Sequence, residues 1–195
     1  MKYLKTYKLF ESNINEVIIS SESDWEKVND STTKITINYQ CNKLHELPKS
    51  LRYLYCSYNQ LTELPVLPST LQKLFCSNNK LKELPKLPNL LHRLDCQNNQ
   101  LIELPTLPKS STLIQFYNNP LNKLPKGITK ELLKHNNIDN YVKDNVLTWL
   151  KNDPSSYEFV KDYLTEAQQK YFEENGAEGL EDLTQFGMFN LKNKE

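Results

Sequence analysis

From residue 51 to residue 108 the apolar positions return every twenty residues. Leu51, Leu71 and Leu91 open three units, and Leu54, Leu74 and Leu94 follow three residues later. Cys56, Cys76 and Cys96 come next, then Asn59, Asn79 and Asn99, then Leu61, Leu81 and Leu101. Each unit closes on Leu-Pro-x-Leu-Pro, at residues 64–68, 84–88 and 104–108. A fixed period of this size marks stacked supersecondary units. Ahead of each Asn, apolar and polar residues alternate with period 2, which predicts a short strand with one buried face. Such a strand leaves its apolar face open unless it lies parallel beside the strand of the next unit. Twenty residues leave too little chain for a return helix. The two prolines per unit favour an extended back side, since Pro fixes φ and lacks an N–H. The Asn column stands where the chain leaves the strand, where its amide is expected to bond the exposed backbone of the turn. The predicted fold class is therefore an α/β solenoid: a short parallel sheet with an extended, Pro-rich convex side.

The pattern continues on both flanks with weaker letters. Upstream, Lys34, Ile37, Tyr39, Asn42, Leu44, Leu47 and Pro48 make a shorter unit that lacks the second Leu-Pro. Downstream, Ile114, Phe116, Asn119, Leu121, Leu124 and Pro125 keep the register, with Ser111 in place of the opening Leu. Five units result, and atypical terminal units are expected because they cap the core rather than continue it. Residues 1–33 read as a leader and N-terminal cap, with a strand near Val17 to Ile19 and a helix near Asp24 to Val28. Ser23 is the expected N-cap, and Trp25 is expected to pack on the first rung. Residues 34–125 are the repeats. Residues 126–195 read as a C-terminal helical cap. Leu132 and Leu133 suggest a first short helix there, and Tyr141, Val142, Val146, Trp149 and Leu150 share one face of a second. Pro154 opens a third, with Phe159, Val160, Tyr163 and Leu164 on its apolar side. Residues 165–168 carry a capping-box pattern for a fourth, ended by Gly176, and Leu180, Leu183 and Phe186 suggest a last short one.

The letters of the central units resemble the leucine-rich repeat family, whose signature is L-x-x-L-x-L-x-x-N/C-x-L. The twenty-residue unit with its Leu-Pro-x-Leu-Pro back is similar to the bacterial-type subclass found in secreted effectors of the YopM and IpaH kind. Cys-bearing, Asn-rich repeats of this sort are also familiar from viral and phage reading frames. Residues 1–10, which alternate basic and apolar letters, resemble the short leaders of some tailed-phage proteins. The Leu-x-Glu at Leu9 recurs at Leu44, Leu61, Leu81 and Leu101, so it discriminates little. The resemblance covers about half the chain and implies a protein that binds other proteins through its concave sheet. The IpaH-type effectors carry their ubiquitin-ligase nucleophile on a C-terminal Cys. No Cys follows Cys96 here, so that activity is not carried over.

Charge and cysteine usage narrow the function classes. The formal net charge is zero, yet residues 34–125 carry 11 Lys/Arg against 5 Asp/Glu, a net of +6. That excess suits an acidic partner but is too diffuse for the basic stripe that nucleic acid needs. All 4 Cys lie inside the repeats, three of them stacked at a core-type position, and Cys41 is expected nearer the surface. Unpaired core thiols fit the cytoplasm or another reducing compartment, a host cytoplasm or a virion included. No apolar run is long enough to span a membrane, and the first twenty residues lack a signal-peptide core.

No catalytic constellation is visible. The 4 Gly are scattered, the 3 His are isolated, and neither Cys nor His falls at zinc-ligand spacing. No cofactor, metal or small-molecule substrate is expected, and the protein reads as a non-enzyme. The informative positions lie between the buried letters, on the concave side. They read Thr36, Tyr53, Lys73, Arg93 and Leu113; then Asn38, Tyr55, Phe75, Asp95 and Gln115; then Gln40, Ser57, Ser77, Gln97 and Tyr117. Tyr53, Tyr55, Tyr58 and Phe75 with Lys73, Arg93, Asp95 and Tyr117 form the candidate partner-binding face, because aromatics and Arg dominate interface hot spots. The favoured function is a protein- or peptide-binding module, with a structural or assembly component contacting through the helical tail, or an effector-like host-target binder, as alternatives.

Overall fold

The computed structural model describes residues 14–129, 132, 139–164 and 166–177. Six strands form one parallel sheet in chain order: β1 (Glu16–Ile19), β2 (Lys34–Ile37), β3 (Tyr53–Tyr55), β4 (Lys73–Phe75), β5 (Arg93–Asp95) and β6 (Leu113–Gln115). The sheet is the inner wall of a solenoid of about five turns. Across β3, β4 and β5 each residue pairs with its own repeat equivalent, Leu54 with Leu74 and Leu74 with Leu94. The central Leu of each strand is buried, while its two neighbours stand on the opposite face, as period 2 requires.

Behind the sheet the core is built by stacking like on like. Leu51, Leu71 and Leu91, then Cys56, Cys76 and Cys96, then Leu61, Leu81 and Leu101 are all fully buried. Cys41 is the least covered of the four thiols, at 8 % exposure, and is still buried. Burial pushes the thiols of Cys56, Cys76 and Cys96 far up, so they stay protonated and act as small apolar filler. The Leu-Pro-x-Leu-Pro segments form the convex side without regular secondary structure, their leucines turned inward. Hydroxyls tie this back wall together. Ser50 Oγ donates to Thr32 O, Thr70 Oγ1 to Lys49 O and Leu51 O, and Ser110 Oγ to Asn89 O and Leu91 O. Leu90 stands at this place in the unit between Thr70 and Ser110, with 55 % of its surface exposed.

The asparagines bond the backbone of the turn as expected, but from buried positions, and so form a second internal ladder. Asn79 Oδ1 accepts the Leu61 N–H at 3.0 Å, and its Nδ2 donates to the carbonyls of Cys56 and Cys76. Asn99 and Asn119 repeat this one rung further on each time. Each amide thus serves donors and acceptors on two rungs at once. The residue before each ladder Asn turns the chain through the left-handed region: Tyr58 (φ 59), Asn78 (φ 56), Asn98 (φ 53) and Asn118 (φ 54).

The first unit is aligned differently from the sequence expectation. Lys34 pairs with Tyr53 and Thr36 with Tyr55, so the concave columns shift by two residues there. Cys41, whose N–H donates to Asn59 Oδ1, takes the place of Leu61. Tyr39 therefore stands where the ladder Asn belongs, and Asn42 lies outside the ladder, exposed. By the same alignment His45 replaces the first proline of the back segment, and Leu47-Pro48 is the second Leu-Pro, which is present. Two features combine. Asn42-Lys43-Leu44 copies the spacing of Asn59-Gln60-Leu61 three residues past the true ladder position. One residue is also missing between strand and ladder, four positions from Ile37 to Cys41 against five from Cys56 to Leu61. Ahead of this unit, β1 adds one more strand to the sheet. The expected helix follows as a 3₁₀ helix, Glu22–Lys27, and its N-cap is Ser21 rather than Ser23. The Asp24 carboxylate accepts the N–H groups of Ser20 and Ser21. Trp25 is buried and stacks on His45, ring centroids 4.7 Å apart.

At the other end α1 (Asp139–Asn152) lies on the last rung. Val146, Trp149 and Leu150 are fully buried; the side chains of Tyr141 and Val142 fall outside the described residues, as does Leu133. Trp149 Nε1 donates to Leu121 O at 3.0 Å and Asn152 Nδ2 to Asn122 O at 2.7 Å, so the helix satisfies carbonyls that the array leaves open. Asp153 caps the 3₁₀ turn Pro154–Ser156, which leads through α2 (Tyr157–Val160) and the turn Lys161–Tyr163 to α3 (Glu166–Asn175). Val160 and Leu164 are buried as expected, but Phe159 is exposed. Alternation of 3₁₀ and α turns breaks the 3.6-residue spacing that would have turned Phe159 inward. Gly176 ends α3 at φ 68. Residues 1–13, Thr165, Leu180, Leu183 and Phe186 lie outside the described residues.

Candidate functional site

The concave face of the sheet carries two side-chain columns. In one, Lys34, Tyr53, Lys73, Arg93 and Leu113 stand side by side on successive strands. In the other, Thr36, Tyr55, Phe75, Asp95 and Gln115 do so. Period 2 places both columns outward because the buried leucines between them face the core. Tyr55 and Phe75 are stacked, centroids 4.9 Å apart and planes within 5°, and both are half-buried. Parallel pairing of identical repeat positions brings the rings face to face at about the interstrand spacing.

Cations border this shelf. Lys73 Nζ lies 5.2 Å from the Tyr53 ring centroid, and Lys34 Nζ lies 5.2 Å from that of Tyr55. Lys34 also pairs with Glu16 at 3.0 Å, which holds the Glu16 carboxyl below its usual range. Arg93 is exposed beside Lys73. Next to this pair, His92 Nδ1 meets Gln72 O at 2.9 Å. Partial burial, then Lys73 and Arg93, depress the imidazole pKa, so it resists protonation. Asp95 is largely covered, and burial pushes its carboxyl up although Gln97 and Ser77 bond it.

The structure brings Tyr53, Tyr55, Lys73, Phe75, Arg93 and Asp95 together on one surface. Tyr58 sits at the rim with 72 % of its surface exposed. It holds the left-handed turn position that Asn fills on the next three rungs, a conformation a bulky residue adopts only at a cost. Tyr117, half-buried like Tyr55 and Phe75, packs against the core of the last rung. Lys34 and its Glu16 partner belong to the face but were missed. The two-residue shift of the first unit hid them, and only the pairing of Ile35 with Leu54 reveals it. Among the described residues no group of three or more His, Cys, Asp or Glu is placed to hold a metal ion, and no helix is long and apolar enough to cross a membrane.

Three solved structures share this architecture. YopM from Yersinia enterocolitica WA-314 matches at TM-score 0.51 and 34 % identity, over 60 % of this chain and 25 % of that one. YopM from Yersinia pestis, described as a leucine-rich effector protein, matches at TM-score 0.51 and 39 % identity, over 54 % of this chain and 31 % of that one. A Shigella effector LRR domain matches at TM-score 0.51 and 31 % identity, over 61 % of this chain and 56 % of that one. The array is a leucine-rich repeat solenoid of the bacterial type. Its repeats resemble those of YopM and the Shigella effector, while the chain spans a quarter to just over half of each matched structure. No family model and no curated protein matches the chain.

Proposed function

We propose that this leucine-rich repeat protein is a non-catalytic interaction module that holds a protein or peptide on the concave face of its sheet. The carrying observation is the Tyr55–Phe75 stack, only half-buried on a wall whose reverse side is closed by leucine, cysteine and asparagine. Exposed aromatic surface flanked by cations is the composition of interface centres. The effector descriptions of the matched structures support an effector-like role, with a host protein as target. Replacing Tyr55, Phe75 and Arg93 together by Ala tests the reading. Crosslinking in native lysate with mass spectrometry identifies the partner and the attached face. The triple variant is expected to lose that partner while keeping its circular dichroism and urea midpoint. Retained capture, or loss only on deleting residues 154–195, would move the contact to the helical end.

A further inference from the structure

Lys73 and Arg93 are direct register partners on β4 and β5, on the same face. Like charges placed opposite each other across strands are destabilising. Neither has an acidic partner among the described residues; the nearest aid to Lys73 is the Tyr53 ring. The neighbouring carboxylates are otherwise engaged. Glu16 is held by Lys34, and Asp95 is covered and bonded by Gln97, its carboxyl raised by burial with no relief from Arg93. The His92 imidazole beside them, depressed first by burial, is lowered further by Lys73 and Arg93. One rung across and two residues along lies the Tyr55–Phe75 stack. Interstrand and along-strand spacings put the two features about 8 Å apart. In an extended peptide, residues i and i+2 stand about 6.7 Å apart and point the same way, so their side chains reach both.

We propose that the concave face takes an extended acidic segment of a partner protein, a carboxylate seated between Lys73 and Arg93 and a flat side chain two residues away lying on Tyr55 and Phe75. This rests on the interaction-module reading above and names the partner's chemistry. A singly charged carboxylate fits better than a phosphate. Lys73, Arg93 and Asp95 together amount to +1, and Asp95 on the same face repels a more highly charged ligand. It also opposes a nucleic-acid backbone.

The test titrates the ¹⁵N-labelled full chain with decapeptides that carry Glu-x-Trp in a Gly-Ser background. Gln-x-Trp, Glu-x-Ala, Lys-x-Trp and a thymidine decanucleotide are the comparison probes. The Glu-x-Trp peptide is expected to shift amide resonances of β3, β4 and β5, about tenfold more tightly than Gln-x-Trp, the gap closing as salt rises. Arg93→Glu should invert the preference towards Lys-x-Trp. Arg93 is exposed, so the fold should persist; Arg93→Gln, which should only erase the preference, serves should Arg93→Glu not fold. If all the peptides shift the concave amides equally, the acidic-ligand proposal fails while the platform stands. If none shifts them, both fail. Tighter binding of the oligonucleotide overturns the peptide assignment.

Discussion

The middle of the array and its two ends solve the same problem with opposite materials. In the middle, every buried side chain meets a copy of itself one rung away, so a single solution repeats: Leu on Leu, Cys on Cys, and an Asn amide bridging two rungs. At the ends there is no copy to meet. The sheet and the back wall stop, and unlike groups close the openings: Trp25 and the Asp24-capped turn at one end, Trp149 and α1 at the other. Repetition makes the middle tolerant, because a weakened rung still has equivalent neighbours. The caps are single points, and each must be right. This is the nearest-neighbour logic of solenoids, seen in named side chains.

The largest effect should follow from breaking the C-terminal closure. Trp149→Ala removes a fully buried indole and leaves Leu121 O without its donor, and should cost about 4 kcal/mol. Urea unfolding measures the total. Hydrogen exchange should show β6 and the last rung losing protection well before β3 and β4. Uniform loss along the sheet would mean that the array unfolds as one unit and that the end has no separate role.

A break in the middle should cost less. Asn79→Ala removes the Oδ1 that accepts the buried Leu61 N–H. The carbonyls of Cys56 and Cys76 each keep a second amide, from Asn59 and Asn99. One buried orphan donor plus lost bonds predicts about 2–3 kcal/mol by urea titration. Asn42→Ala, outside the ladder, should stay within about 0.5 kcal/mol. Equal losses at the two asparagines would refute the ladder.

The middle also contains an imperfection that can be repaired. Leu90 interrupts the hydroxyl column formed by Ser50, Thr70 and Ser110, and exposes an apolar side chain. Leu90→Thr gives the Ser69 and Leu71 carbonyls the donor that the equivalent carbonyls have on adjacent rungs. It should raise stability by about 0.5–1 kcal/mol, read as a higher urea midpoint. A fall would show that Leu90 packs on something its exposure conceals.

These contrasts track what the sequence disclosed. The rungs were legible because a twenty-residue period fixes which letters face inward, and period 2 then exposes Tyr55 and Phe75. The buried state of the Asn column was not, since depth depends on the next rung's loop closing over it. The first unit misled because Asn42-Lys43-Leu44 copies the spacing of Asn59-Gln60-Leu61 three residues past the true ladder position. With one residue missing before Cys41 the concave columns shift by two, and a two-residue shift preserves the inward and outward faces. The burial of Val146, Trp149 and Leu150 on α1 was legible from spacing. The bond from Trp149 to Leu121 was not, for it joins residues that only the packing of helix on rung brings together. Phe159 failed because mixed 3₁₀ and α turns carry no single period.

The mildest perturbation that should separate the ends from the middle is acid. The N-terminal closure depends on ionised carboxylates. Lys27 and the Ser20 and Ser21 N–H groups hold the Asp24 carboxyl at about 2. Glu22 is lowered first by His45 and then by Tyr39. A carboxylate whose folded pKa is depressed contributes stability that is present above its unfolded value, near 4. That stability is lost as pH falls through the folded value. The buried polar groups of the rungs are amides and hydroxyls, which do not titrate there, and protonating Asp95, whose carboxyl is pushed up by burial, favours the folded rung. Lowering the pH from about 5 to about 2 should therefore loosen the cap around Trp25 while β3 to β5 keep their amide protection. In a Trp149→Phe background Trp25 is the only indole. Its emission should move to the red over that range, and Glu22→Gln together with Asp24→Asn should flatten the transition. An unchanged transition in the double variant, or simultaneous loss of protection in β4, would place the acid-sensitive contacts elsewhere.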